Sequence, residues 1–135
     1  MNKIEKHLAR LQDEFNLTYS KQGAELYLLG YHGLKFKLEV KAKNYFLKAK
    51  IIDCPAKNKE VLFSYLMKAN LLGQNTYGNA LGLKPDEKSL TLISALDYEI
   101  TYEEMQEKLE LFLGARELWE KEIKTLMSKP GGLVK

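Results

Sequence analysis

The residue types this chain is short of set the first limits on it. It has one cysteine, Cys54, and two histidines, His7 and His32, in 135 residues. A lone cysteine can form neither an internal disulfide nor a thiolate-rich metal cluster, a usage that fits a reducing cytosol. The histidines have no ligand spacing with each other or with Cys54, so both are expected to be exposed and structural. No apolar run approaches the roughly 18–20 residues that a membrane span needs. The opening "MNKIEKHLARLQDEF" alternates charges on every turn where a signal peptide would carry an apolar stretch. Neither G-x-G-x-x-G nor G-x-x-x-x-G-K-[ST] occurs. The one glycine-rich segment, with Gly73, Gly78 and Gly82, follows a helical stretch, whereas a phosphate loop precedes one. No serine sits in a nucleophile elbow, and Ser64 falls inside a helical pattern. No catalytic group, metal or cofactor is expected.

What remains is an ordinary soluble composition with a sharp charge asymmetry. From Lys35 to Lys59 eight lysines stand against Glu39 and Asp53, whereas from Asp86 to Glu122 eleven acids stand against Lys88, Lys108, Arg116 and Lys121. Such polarity either selects partners or keeps two faces solvated, and the solvated reading is the simpler.

The periodicity predicts a single α+β domain in the order α-β-β-β-α-β-β-α, with a twisted, mainly antiparallel sheet packed by helices. Residues 2–16 carry Ile4, Leu8, Leu11 and Phe15 on one stripe, and Asn2 and Glu5 have capping-box spacing. After a turn through Ser20–Gly23, three strands are expected: "AELYLLG", Leu34–Lys41 and Tyr45–Ile52. The second alternates cleanly; the third is apolar on parts of both faces. Pro55 ends this meander. Asn58–Leu72 returns to helical spacing and stops at Gly73. Two short strands near Asn79–Lys84 and Ser89–Leu96 follow, joined by "PDEK". Thr101 and Glu104 open the longest helix as a capping box, and its apolar stripe runs from Met105 to Leu126. The domain is expected over residues 1–128, with 129–135 a loose tail.

These pieces have a familiar arrangement. The phrases "LMKANLLGQ", "GNALGLKPDEKSLTL" and "ELFLGARELWEKEI", in that order and over nearly the whole chain, resemble the class I type III secretion chaperones of the Tir-chaperone-like family. The resemblance implies a cytoplasmic bacterial homodimer that holds the N-terminal region of a secreted effector in extended form. It brings a secretion-apparatus ATPase as a further partner, and no nucleic acid or membrane. By position it places the dimer interface on Val61, Leu62, Tyr65, Leu66 and Ala69, with Leu81 and Leu83 of the "LGL" strand beside them. It places an effector-binding groove between the first helix and the meander, on Leu8, Leu11, Phe15, Leu34, Phe36, Leu38 and Phe46. Many of these residues would equally serve as plain core. One departure stands out: these chaperones are typically acidic, whereas this chain has a net charge of +3. Two other readings stay open. One is a nucleic-acid module using the lysine-rich strands, with Tyr45 or Phe46 as a stacking aromatic; the other is a chaperone-fold regulator outside secretion.

Overall fold

The computed structural model describes residues 2–53, 64, 80–83 and 89–128. Cys54, the glycine segment before Ala80, the five dimer-interface residues of the 58–72 helix and the 129–135 tail lie outside the described residues. Ser64, within that expected helix, is helical and exposed.

Helix α1 spans Lys3–Phe15 and buries Ile4, Leu8 and Leu11, the stripe that the sequence spacing predicts. Asn2 caps it, its Oδ1 accepting from the Glu5 N–H at 2.9 Å. The Glu5 carboxylate turns instead to the Tyr27 hydroxyl, which donates to it at 2.8 Å. The helix ends at Asn16 in the left-handed region, φ 59°, with its N–H on the Leu11 carbonyl, a conformation that asparagine tolerates better than most residues.

The strands are β1 (Thr18–Lys21), β2 (Leu26–Tyr31), β3 (Leu34–Lys41), β4 (Asn44–Asp53), β5 (Ala80–Leu83) and β6 (Ser89–Asp97), followed by helix α2 (Tyr102–Ser128). They share one sheet in the order β1-β2-β3-β4-β6-β5. β1 corrects the expectation of a plain turn at Ser20–Gly23: Thr18–Lys21 pairs antiparallel with Gly30–Tyr27. It packs at the sheet edge partly because residue 30 is glycine, since a Cβ there would meet Thr18 Oγ1 at 2.5 Å. A two-residue turn joins β3 to β4, with φ of 48° at Ala42 and 64° at Lys43. Asn-Gly would take that primed geometry more readily than Ala-Lys. At Thr101 the capping box forms in full. The Thr101 N–H donates to Glu104 Oε1 at 3.0 Å, and the Glu104 N–H to Thr101 Oγ1 at 3.2 Å.

The chain divides into two compact units, Met1–Ala49 with Ala95–Glu110, and Lys50–Ser94 with Leu111–Lys135. The core of the first collects Ile4, Leu8 and Leu11 from α1, Tyr27, Leu29, Phe36, Leu38 and Leu47 from the strands, and Ile100 and Met105 from around the start of α2. Each large side chain so buried contributes about 1.5–3 kcal/mol. Polar contacts fasten α1 at its rim. His7 Nε2 donates to the Ile100 carbonyl at 3.0 Å, and the Arg10 guanidinium lies 3.9 Å from the centroid of the Tyr102 ring. In the second unit Ile51, Leu90, Leu92, Phe112, Trp119 and Ile123 are buried. There Arg116 reaches back from α2 to strand β4. Its Nε donates to the Lys50 carbonyl at 2.9 Å, and Nη2 to the Ile51 carbonyl at 3.5 Å and the Glu120 carboxylate at 3.1 Å.

Candidate functional site

Strand alternation decides which side of the sheet each side chain of the first unit's strands occupies. In the β2–β3 pair Tyr27 stands opposite Leu38 and Leu29 opposite Phe36; in the β3–β4 pair Leu38 stands opposite Leu47 and Val40 opposite Tyr45. Directly opposed residues share a face, so these form the inner, core-facing side. The outer side carries Leu26 and Leu28 from β2, Lys35, Lys37, Glu39 and Lys41 from β3, and Asn44, Phe46 and Lys48 from β4.

The seven residues expected to line an effector groove therefore separate. Leu8, Leu11, Phe36 and Leu38 are buried to 3% exposure or less, as core of the chain itself. Phe15 and Leu34 are half-buried at the margin. Phe46 is also half-buried, but it stands opposite Glu39 on the outer side, away from the face of Leu34, Phe36 and Leu38. The segment "NYFLKA" explains the difficulty: with three aromatic or apolar residues in a row, either register buries a large side chain. The burial of Tyr45, Leu47, Ala49 and Ile51 settles which one the strand uses. Of the expected dimer contacts, Leu81 and Leu83 fall in β5 opposite Leu92 and Leu90, in the last strand of the sheet order.

The electrostatics concentrate on the outer side. Glu39 is paired by Lys48 at 2.7 Å and by Lys41 at 3.4 Å. The hydrogen bond from Lys48 foremost, with the charges of both lysines, holds the Glu39 carboxyl below the usual range. On the inner side of the rim, the Tyr27 hydroxyl and then Lys21 hold Glu5 low in the same way. Burial pushes the Tyr27 phenol up, which keeps it the donor to Glu5. His7 is half-buried and engaged with a backbone carbonyl, whereas His32 is exposed in the β2–β3 turn, its ring edge-on to Tyr31. Among the described residues no group of histidine, cysteine and carboxylate side chains is disposed to hold a metal ion, and no helix is long and apolar enough to cross a membrane.

The described residues thus form an N-terminal helix, the strands of one six-stranded sheet and a long C-terminal helix. The Tir chaperone protein (CesT) family profile matches residues 8–120. The chain belongs to that family. Two solved structures share the fold of this Tir-chaperone family member at low identity. A chain of the ExsC–ExsE complex superposes with a TM-score of 0.62 at 14% identity, covering 88% of this chain and 92% of that one. YbjN from E. coli, a candidate transcription regulator, superposes with a TM-score of 0.68 at 12% identity, covering 92% and 93%. No curated protein matches the chain. The missed strand β1 left little trace in the sequence, because "TYSK" is short and polar. The lysine face was legible from the alternation of β3, and its cross-strand pairing was not.

Proposed function

We propose that this protein is a type III secretion chaperone that binds the N-terminal region of a cognate effector in extended form and keeps it competent for export. The observation that carries this reading is the family match over residues 8–120; the likeness to a chain crystallised in the ExsC–ExsE complex supports it. Binding energy is then the whole mechanism. Ordering an extended client costs about 2–5 kcal/mol, offset by burial on the order of 1,000–3,000 Å², so the client must wrap over a long surface. A strand edge and apolar pockets for spaced side chains are the means by which such a segment is held. The half-buried Phe15 and Leu34 on one side of the sheet and Phe46 on the other are the groove residues left open to it.

The working form in this reading is a cytoplasmic homodimer of residues 1–128, with 129–135 as a tail. Its interface is formed by Val61, Leu62, Tyr65, Leu66 and Ala69 together with Leu81 and Leu83, and a secretion ATPase is the partner that receives the loaded complex. The likeness to YbjN favours one second reading, a regulatory protein of the same fold. Co-expression with a candidate effector, sought among larger proteins encoded nearby, followed by limited proteolysis, separates the two. A chaperone leaves several tens of residues near the client's N-terminus uncut. A client bound only through a globular domain, its N-terminus freely cleaved, contradicts the chaperone reading.

A further inference from the structure

The outer side of β2–β4 differs from the rest of this protein's charged surface. Elsewhere among the described residues several lysines and arginines are paired with carboxylates, as in Lys3 with Glu99, Arg10 with Glu14 and Lys121 with Glu117. On the outer side four lysines, Lys35, Lys37, Lys41 and Lys48, stand around the carboxylate of Glu39, which pairs with Lys41 and Lys48. Lys35 and Lys37 are exposed and have no carboxylate within ion-pair distance among the described residues. Lys37 stands directly opposite Lys48, a like-charge cross-strand pair that costs the sheet stability. A sheet built only to be soluble and stable has no use for that arrangement. Beside the lysines, Leu28 remains 39% exposed and Phe46 half-buried, so apolar surface borders the charge.

We propose that this face docks an acidic segment of an extended polypeptide running along β3. Alternate residues of an extended chain lie on one face about 6.6–6.8 Å apart, the spacing of Lys35 and Lys37 themselves. Carboxylates two residues apart on the segment therefore meet Lys35 and Lys37, the second also within reach of Lys48 across from Lys37, and a neighbouring apolar side chain meets Leu28 or Phe46. Glu39 selects against a nucleic-acid strand. A backbone charged at every step would have to cross that carboxylate, whereas a peptide can present an uncharged residue there. A second copy of the chain, offering its own acidic helix α2, is the competing occupant, and the self-association measurement below separates it from a peptide. The proposal rests on the chaperone reading only in taking the segment to belong to the client; the chemistry of the docking face stands without it.

Fluorescence anisotropy with a fluorescein-labelled peptide that alternates glutamate and leucine over the length of β3, with glutamine in place of the glutamate that would face Glu39, tests this. The wild-type protein should bind the peptide, with affinity falling as salt rises, and should ignore its lysine–leucine counterpart. The pair Lys35→Glu and Lys37→Glu should weaken binding by roughly tenfold or more. These exposed positions tolerate the change, and circular dichroism verifies folding. Glu39→Gln should tighten binding, and Lys108→Glu on α2 should leave it unchanged. Equal weakening by Lys108→Glu, or no loss on reversal of Lys35 and Lys37, overturns the proposal. So does tighter, reversal-sensitive binding of oligothymidine, or salt-sensitive self-association lost on the same reversal. The two readings fail separately. Failure of the wild-type protein to bind the peptide, with the client's N-terminus still protected, sinks the acidic-segment docking alone. Peptide binding by a protein that protects no client sinks the chaperone reading alone.

Discussion

Replacing Leu8 with alanine distinguishes a core residue from a groove residue. Leu8 has 0% exposure within the chain itself, on the α1 stripe with Ile4 and Leu11. Truncating a leucine so placed removes its transfer free energy and leaves a cavity, a loss of about 2–5 kcal/mol. Against the 5–15 kcal/mol total typical of a single domain, that is a large share of stability. With roughly 3–5 °C of melting temperature per kcal/mol for a chain of this length, the shift is on the order of 10–20 °C. Leu28→Ala is the matched control: the same truncation at a position 39% exposed on the outer side should cost less than about 1 kcal/mol. Urea denaturation followed by circular dichroism reads both variants, and an unchanged slope verifies that the midpoint shift reports stability. A Leu8→Ala protein as stable as wild type, with client protection lost, would show that Leu8 lines an open groove and would refute its assignment to the core.

Other consequences can be checked on the same purified protein. Arg116→Ala removes the side chain that satisfies the Lys50 and Ile51 carbonyls and should cost about 1–3 kcal/mol in denaturant melts; a neutral result would mean that water replaces it. Glu5, Glu39 and Glu104 are each held below the ordinary 4.5 by hydrogen bonds, foremost from Tyr27, Lys48 and the Thr101 N–H respectively. A depressed folded pKa means that the unfolded chain binds more protons, so their contribution is complete above that ordinary value and is lost as pH falls through the folded pKa values. Melting temperature should therefore drop on acidification below about pH 4.5, and less steeply in Glu39→Gln; equal acid sensitivity in the two proteins would count against the Lys48 pairing. Replacing Leu62 or Leu66 with glutamate should convert the proposed dimer to monomer or aggregate in light scattering, and a wild-type monomer at tens of micromolar (an order-of-magnitude choice for a stable interface) would remove the dimer from the account.

How much of this was legible in the sequence depended on local chemistry. The alternation of Leu34–Lys41 predicts β3 at its observed bounds, and the α1 stripe and the Thr101–Glu104 cap are local patterns that tertiary structure did not override. β1 has no such pattern: Thr18–Lys21 becomes a strand because β2 offers it a partner, a fact of topology and not of propensity. The sequence could not sort groove from core residues for a related reason. A stripe such as Leu8 and Leu11, or Phe36 and Leu38, reads the same whether it meets the chain's own sheet or a client. Phe46 changed sides because its neighbours Tyr45 and Leu47 are equally able to fill a core. The charge asymmetry was visible from composition, but the opposition of Lys37 to Lys48, from which the proposed docking face is argued, needs the register.

The central claim is that an extended client is held by binding energy alone. Hydrogen–deuterium exchange on the co-expressed complex and on its separated parts tests it most directly. The account predicts that amides over several tens of residues near the client's N-terminus exchange rapidly in the free client and slowly in the complex, while the rest of the client exchanges identically in both. Equal exchange of that N-terminal segment in the free and bound client, with protection confined to a folded domain, would contradict it.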